Sequence, residues 1–168
     1  MSHQPTPMCK AAVLCSWQSR DARTHQWTIA GMYDFIIENN YPSRSQPILW
    51  YAKLVDVRGD YEVEPRLLDP LGQVVAVMPI AFIRGSAPMY GAEFGGAFEH
   101  VIFRFPGKYT IQVLCAPIKA QHFDIMGFDA FLADPPSKGD LDVVVNCEFE
   151  VGPESVFAAG QRSQIEPK

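Results

Sequence analysis

The sequence predicts an all-β protein, an antiparallel two-layer β-sandwich of about eight strands. Three observations carry that expectation. Apolar residues recur at every second position in segment after segment, as in Tyr109, Ile111, Val113 and Cys115. Turn signals rich in Pro, Gly and Asp separate these segments, where a parallel fold would need crossover helices. The chain has 168 residues, 48% of them apolar and 20% charged, which suits one domain with a sizeable core.

The first strand is expected in "AAVLCSW" (11–17), before the polar loop "QSRDARTHQ". "WTIAGMYDFIIE" (27–38) alternates Trp27, Ile29, Tyr33, Phe35 and Ile37 and reads as one strand. Gly31 in its middle marks a bulge or a close backbone approach. "NNYPSRSQP" (39–47) is a loop by composition. "ILWYAKLVDV" (48–57) is apolar on both faces, as a central strand is. Arg58-Gly59-Asp60 reads as a plain hairpin turn, not as an adhesion motif. "YEVEPRLL" (61–68) alternates Tyr61, Val63 and Leu67 with charged residues. Pro65 has no N–H to give to a ladder, which predicts an edge strand or a bulge there. "DPLG" (69–72) fits a type I turn with Asp first, Pro second and Gly fourth.

"QVVAVMPIAFI" (73–83) is the returning strand, and "RGSAPMYGAEFGG" (84–96) reads as a loose, flexible connector. "AFEHVIFRF" (97–105) reads as a strand with Val101, Phe103 and Phe105 inward and His100 and Arg104 outward. Pro106-Gly107 then predicts a type II reversal, since Pro presets φ at the second position and Gly accepts a positive φ at the third. Tyr109 follows at once. A Tyr placed there buries its ring and returns its hydroxyl to the turn backbone, the tyrosine corner of immunoglobulin-like sandwiches. The loop 119–140 has room for one short helix, with Phe123, Met126 and Phe131 on one face, although Gly127 weakens it. "LDVVVNCEFEV" (141–151) reads as the last strand, with Leu141, Val143, Val145, Cys147 and Phe149 inside. Residues 1–9 and 152–168 are expected to be flexible, leaving 10–151 as a single sandwich domain.

Charge and composition exclude several function classes. The net charge is −5, and no cluster of Lys and Arg offers a footprint for nucleic acid. No apolar run is long enough to cross a membrane as a helix, and no secretory signal pattern opens the chain. The expected location is cytoplasmic. Cys9, Cys15, Cys115 and Cys147 are widely spaced without a CxxC, so neither a disulfide framework nor a zinc site is expected. Cys15, Cys115 and Cys147 share strand faces with Val, Ile or Phe and read as small buried hydrophobes.

No nucleophilic set emerges from the four histidines, His3, His25, His100 and His122, and no GxSxG surrounds a serine. His122, Asp124, Asp129 and Asp134 are the right residue types for a divalent ion, but a solvated loop explains them as well, and no metal or cofactor is expected. The Gly-rich loop lacks the Lys and Ser/Thr of a phosphate cradle. Aromatics outside the expected strands are the stronger signal. Tyr90 and Phe94, with Phe123, Phe128 and Phe131, mark two loops as a candidate binding surface. The competing reading has these loops capping the ends of the core.

Three segments, "GMYDFI" (31–36), "LLDPLG" (67–72) and "FPGKYTIQV" (105–113), resemble a family of small bacterial proteins, a domain of unknown function whose members are single β-sandwiches. The last two also resemble macroglobulin-like and other immunoglobulin-like modules. The resemblance spans roughly residues 10–150 and implies a fold, with no catalytic residues to carry over. The chain departs from the family pattern at 84–96 and 119–140, where it has extra length.

The resulting functional expectation is a non-enzymatic accessory protein. It would contact a protein partner, or itself, through loop aromatics or an edge strand. A small-ligand or glycan-binding sandwich is the alternative, with Trp17, Trp27 or Trp50 stacking on the ligand, and a structural subunit of a phage-like assembly is a third.

Overall fold

Among the described residues, two sheets built from strands without intervening helices carry the chain. A computed structural model describes residues 6–85, 91–118 and 141–156. Among them lie β1 (Met8–Arg20), β2 (Trp27–Tyr33), β3 (Phe35–Ile37), β4 (Ser43–Arg44), β5 (Ile48–Val55) and β6 (Gly59–Leu68). They continue as β7 (Val74–Val77), β8 (Ala81–Gly85), β9 (Ala92–Phe98), β10 (Ile102–Phe103), β11 (Gly107–Pro117) and β12 (Asp142–Gly152). One sheet has the order β2-β1-β5-β9. The other has β3-β12-β11-β6-β7, with β8 also pairing β6. A small ribbon joins β10 to β4. The all-β sandwich is therefore the fold.

The core fills the space between the sheets. The first sheet contributes Leu14, Trp50, Ala52, Leu54 and Phe98; the second contributes Tyr61, Val63, Leu67, Tyr109, Ile111, Val113, Val145, Phe149 and Val151. The alternation along β6 and β11 is what places these side chains on one face. β5, read as central, is flanked by β1 and β9.

Several local expectations are corrected. Residues 27–38 do not form one strand. The chain bends at Asp34, leaving β2 in the first sheet and sending β3 to the second, where it runs parallel to β12. Gly31 has a φ of 62° and no register shift beside it, and a Cβ there would lie 2.0 Å from the Ser16 hydroxyl. It is a close approach, not a one-strand bulge. Arg58-Gly59-Asp60 is not a hairpin turn, because β5 and β6 belong to different sheets and the segment arches between them.

Pro65 does not mark an edge or a bulge. β6 is flanked by β11 on one side and by β7 and β8 on the other. The Pro65 carbonyl accepts from the Met78 N–H at 2.9 Å, at the interruption between β7 and β8. The N and C=O of an antiparallel strand residue point the same way. The missing donor therefore faces the gap that Met78, Pro79 and Ile80 leave in the neighbouring ladder.

The connector expected at 84–96 ends inside β9, which is paired along its length with β5 and is an edge strand among the described residues. Its glycines explain both the misreading and the structure. Gly96 lies opposite Trp50 and Gly95 opposite Tyr51. A Cβ on Gly96 would lie 2.3 Å from Met78 Cε, and one on Gly95 2.5 Å from the Trp50 carbonyl oxygen. The bare positions make room for bulky neighbours, the converse of a flexible loop.

The strand expected at 97–105 is broken at Glu99 and His100, the latter with a φ of 59°. Val101 and Phe103 do point inward and are buried, whereas Phe105 is only partly so. Gly107 has the expected positive φ, 135°, more extended than a type II turn. The strands on either side of Pro106-Gly107 do not pair with each other, since β10 pairs with β4 and β11 with β6 and β12. In β12, the register shifts between Val113 and Leu114 of its partner, inserting Val144. The faces swap below that bulge, so Val144 is buried and Val143 is exposed.

The DPLG turn stands as read. Gly72 N–H donates to the Asp69 carbonyl at 2.9 Å, and Asp69 Oδ1 accepts from the N–H groups of Leu71 at 2.9 Å and Gln73 at 2.8 Å. Tyr109 forms the corner. Its ring is fully buried, 4.9 Å from Phe103 and 5.9 Å from Phe149 between centroids, and its hydroxyl donates to the Phe105 carbonyl at 3.0 Å. Tyr41 and Tyr61 make the same kind of tie, to Glu38 at 3.2 Å and Arg58 at 3.3 Å. Tyr109→Phe keeps the ring and strands a carbonyl, so it is expected to cost about 1–2 kcal/mol with an unchanged denaturant slope. Urea unfolding checks this; an unmoved midpoint would show that the corner is geometry without energy.

Candidate functional site

Of the five aromatics expected to form a loop surface, Tyr90, Phe123, Phe128 and Phe131 lie outside the described residues, as do His122, Asp124, Asp129 and Asp134. Phe94 is not in a loop. It sits on β9 facing the core, its ring edge-on to Trp50 at 5.7 Å. The three tryptophans separate. Trp50 is 2% exposed and Trp17 51% exposed, and Trp27 packs edge-on against Tyr51 at 5.8 Å.

The outward face of the first sheet carries a polar network around Tyr51. Burial, with help from Glu93, pushes the Tyr51 hydroxyl up to about 12. Glu93 is held below the usual carboxylate range, first by its hydrogen bond from Lys53 at 2.5 Å. Gln18 Nε2 donates to the Gly96 carbonyl at 3.1 Å nearby. These groups satisfy one another. Trp27 Nε1, in contrast, is buried without a partner among the described residues.

The thiols are poor nucleophiles. Burial raises Cys115 to about 12 and Cys147 to about 11, and raises Cys15 above its ordinary value as well. Cys9 is exposed on β1, yet partial desolvation of its thiol still raises it, against a hydrogen bond from the Ala11 backbone. Among the described residues no three His, Cys, Asp or Glu side chains converge as metal ligands. No helix among them is long and apolar enough to cross a membrane.

Two surface features remain, at opposite ends of the sandwich. The first is the β7–β8 edge. Residues 70–83 contain no charged residue, and Leu71, Val74, Val77 and Ile80 are exposed by 70, 48, 55 and 39%. Val77 and Val74 stand opposite Arg66 and Leu68 of β6, and among the described residues no strand pairs the far side of β7. Edge strands are usually blunted by charge; here only the Pro79 interruption does that. The signal was legible as a fourteen-residue gap between Asp69 and Arg84 in the distribution of charge, but the alternation alone drew attention.

The second feature is a groove of about 360 Å³ where β2 leaves β1 and the chain crosses to β12. It is lined by Ala12, Val13, Leu14, Met32, Tyr33, Asp34, Cys147 and Glu148. Consecutive strand residues face opposite ways, so a wall made of neighbours in sequence is a strand edge. No local residue pattern marks this groove, because it depends on the change of sheet at Asp34. A comparison with models of known protein families finds no match, and a comparison with curated proteins finds none either.

Proposed function

We propose that the protein is a non-enzymatic binding module that takes an extended, apolar segment of a protein partner by strand addition along the β7–β8 edge. The observation that carries the reading is the uncharged run 70–83, with four exposed apolar side chains on an edge that no strand pairs among the described residues. Strand addition draws its affinity from main-chain hydrogen bonds and its selectivity from alternate side chains. Val74 and Val77, exposed on one face opposite Leu68 and Arg66, supply the second. The family resemblance is compatible with this reading, since its three motifs fall on Gly31, Asp69 and Tyr109, each of which shapes the backbone.

The double variant Val74→Lys/Val77→Lys tests the proposal. Both side chains are exposed, so stability is expected to change by less than about 1 kcal/mol. The variant is expected to lose the partners that the wild type retains on affinity purification, and any self-association seen by sedimentation. Identical partners and identical sedimentation, with the fold intact by circular dichroism, would remove the proposal.

A further inference from the structure

We infer that the groove between β1, β2 and β12 is a binding pocket for an alkylammonium group, an aliphatic stem ending in a primary amine. This inference is independent of the β7–β8 edge, which lies at the other end of the sandwich.

The walls fit such a ligand in two halves. Ala12 and Val13 at the β1 edge, with Met32 and Cys147, offer an apolar bed over the buried Leu14, and Met32 is 70% exposed with nothing among the described residues covering it. Asp34 and Glu148 supply the charge. Asp34 is fixed beside β12 because its carbonyl accepts the Glu150 N–H at 2.8 Å. Tyr33 adds an aromatic ring to the lining, and a cation over such a ring gains further attraction.

The neighbourhood is acidic beyond the pocket itself. The segments 8–14, 32–38 and 142–150 together hold Asp34, Glu38, Asp142, Glu148 and Glu150 against Lys10 alone. That is most of the net charge of the whole chain, −5. One cation from outside these segments competes. Lys108 Nζ pairs with Glu148 Oε2 at 2.9 Å across the β11–β12 ladder, and its pKa is raised first by that hydrogen bond. Both of its partners are largely exposed, so the pair is weak and an incoming amine can displace it. The volume suits a side chain or a small amine and is too small for a folded element.

Two sources present this chemistry, a lysine side chain of a protein and a free polyamine. Amide NMR shifts of the full chain on titration with n-pentylamine read the binding directly. The expected result is saturable shifts at residues 12–14, 32–34 and 147–148 with a dissociation constant of about a millimolar, as befits so small a ligand. n-Pentanol, with the same stem and no charge, is expected to bind about tenfold more weakly, and Asp34→Asn to weaken the amine about fivefold. Lys108→Met frees Glu148 and is expected to tighten it about twofold or more. A merely apolar groove predicts no difference between amine and alcohol, and that result would overturn the inference, as would shifts elsewhere or no effect of either variant. Capped lysine binding more tightly than spermidine would assign the pocket to a protein lysine; the reverse order would assign it to a free polyamine.

Discussion

Replacing Trp50 by alanine is expected to remove about 3–5 kcal/mol of stability. Trp50 is 2% exposed at the centre of β5 and stacks on Phe98 at 6.2 Å while meeting Phe94 edge-on at 5.7 Å. Its indole N–H donates to Met78 Sδ at 3.2 Å, the sulfur lying over the bare Gly96. Truncation therefore empties a large site and also frees a methionine that was packed against the indole. β5 is hydrogen-bonded on both sides, to β1 and to β9, and has little freedom to collapse into the space. A loss of that size lowers the unfolding temperature by on the order of 10 °C. Trp17→Ala, at a position 51% exposed, is expected to change stability by less than about 0.5 kcal/mol. Thermal and urea unfolding of the two variants decide the matter. Equal effects would mean that Trp50 is not a core residue, and would return it to the candidates for ligand stacking.

The same region shows what the sequence made legible and what it hid. Alternation was enough to identify β5, β6, β11 and β12, because each is long and packs one face on a common core. The DPLG turn and the Tyr109 corner were also readable, since each depends on a few adjacent residues with a fixed chemistry. What failed was everything that depends on a partner distant in sequence. Gly95 and Gly96 read as a loop because their reason, the bulk of Tyr51 and Trp50, lies on another strand. Pro65 read as an edge because its reason, the interruption at Pro79, lies across the ladder. Three consecutive valines at 143–145 cannot reveal which of them is the inserted residue. The change of sheet at Asp34 was invisible for the same reason, and the groove followed it. The site legible in the sequence, a cluster of loop aromatics, retains only Phe94 among the described residues, and there its ring is part of the packing around Trp50.

Alkaline pH is expected to destabilise the protein, and the buried thiols and Tyr51 are the cause. Burial, with a smaller push from Asp142, raises Cys115 from its ordinary 9.0 to about 12. Burial, then Cys9 and Glu148, raises Cys147 to about 11, and Tyr51 rises from 10.0 to about 12. Each group holds its proton more tightly in the folded chain than in the unfolded one. Below pH 9 both states are protonated and the full stability is present. As pH rises from there, the unfolded chain ionises first and gains free energy, so stability falls until the folded groups ionise near pH 12. For Cys115 alone, 2% exposed and so little screened, the loss is of the order of 4 kcal/mol across that window. That is a large share of the roughly 5–15 kcal/mol that holds a domain together. Cys115→Ala leaves nothing to ionise at this position. It is expected to be less stable than the wild type at neutral pH, by the cost of a small cavity, and to lose stability more gently as the solution is made alkaline. The two curves converge and then cross if the thiol carries the effect. Urea midpoints measured from neutral pH up to about 12 give both curves. Parallel curves would show that the Cys115 thiolate reaches water without unfolding, and would move the alkaline weakness to Tyr51 and its contact with Glu93.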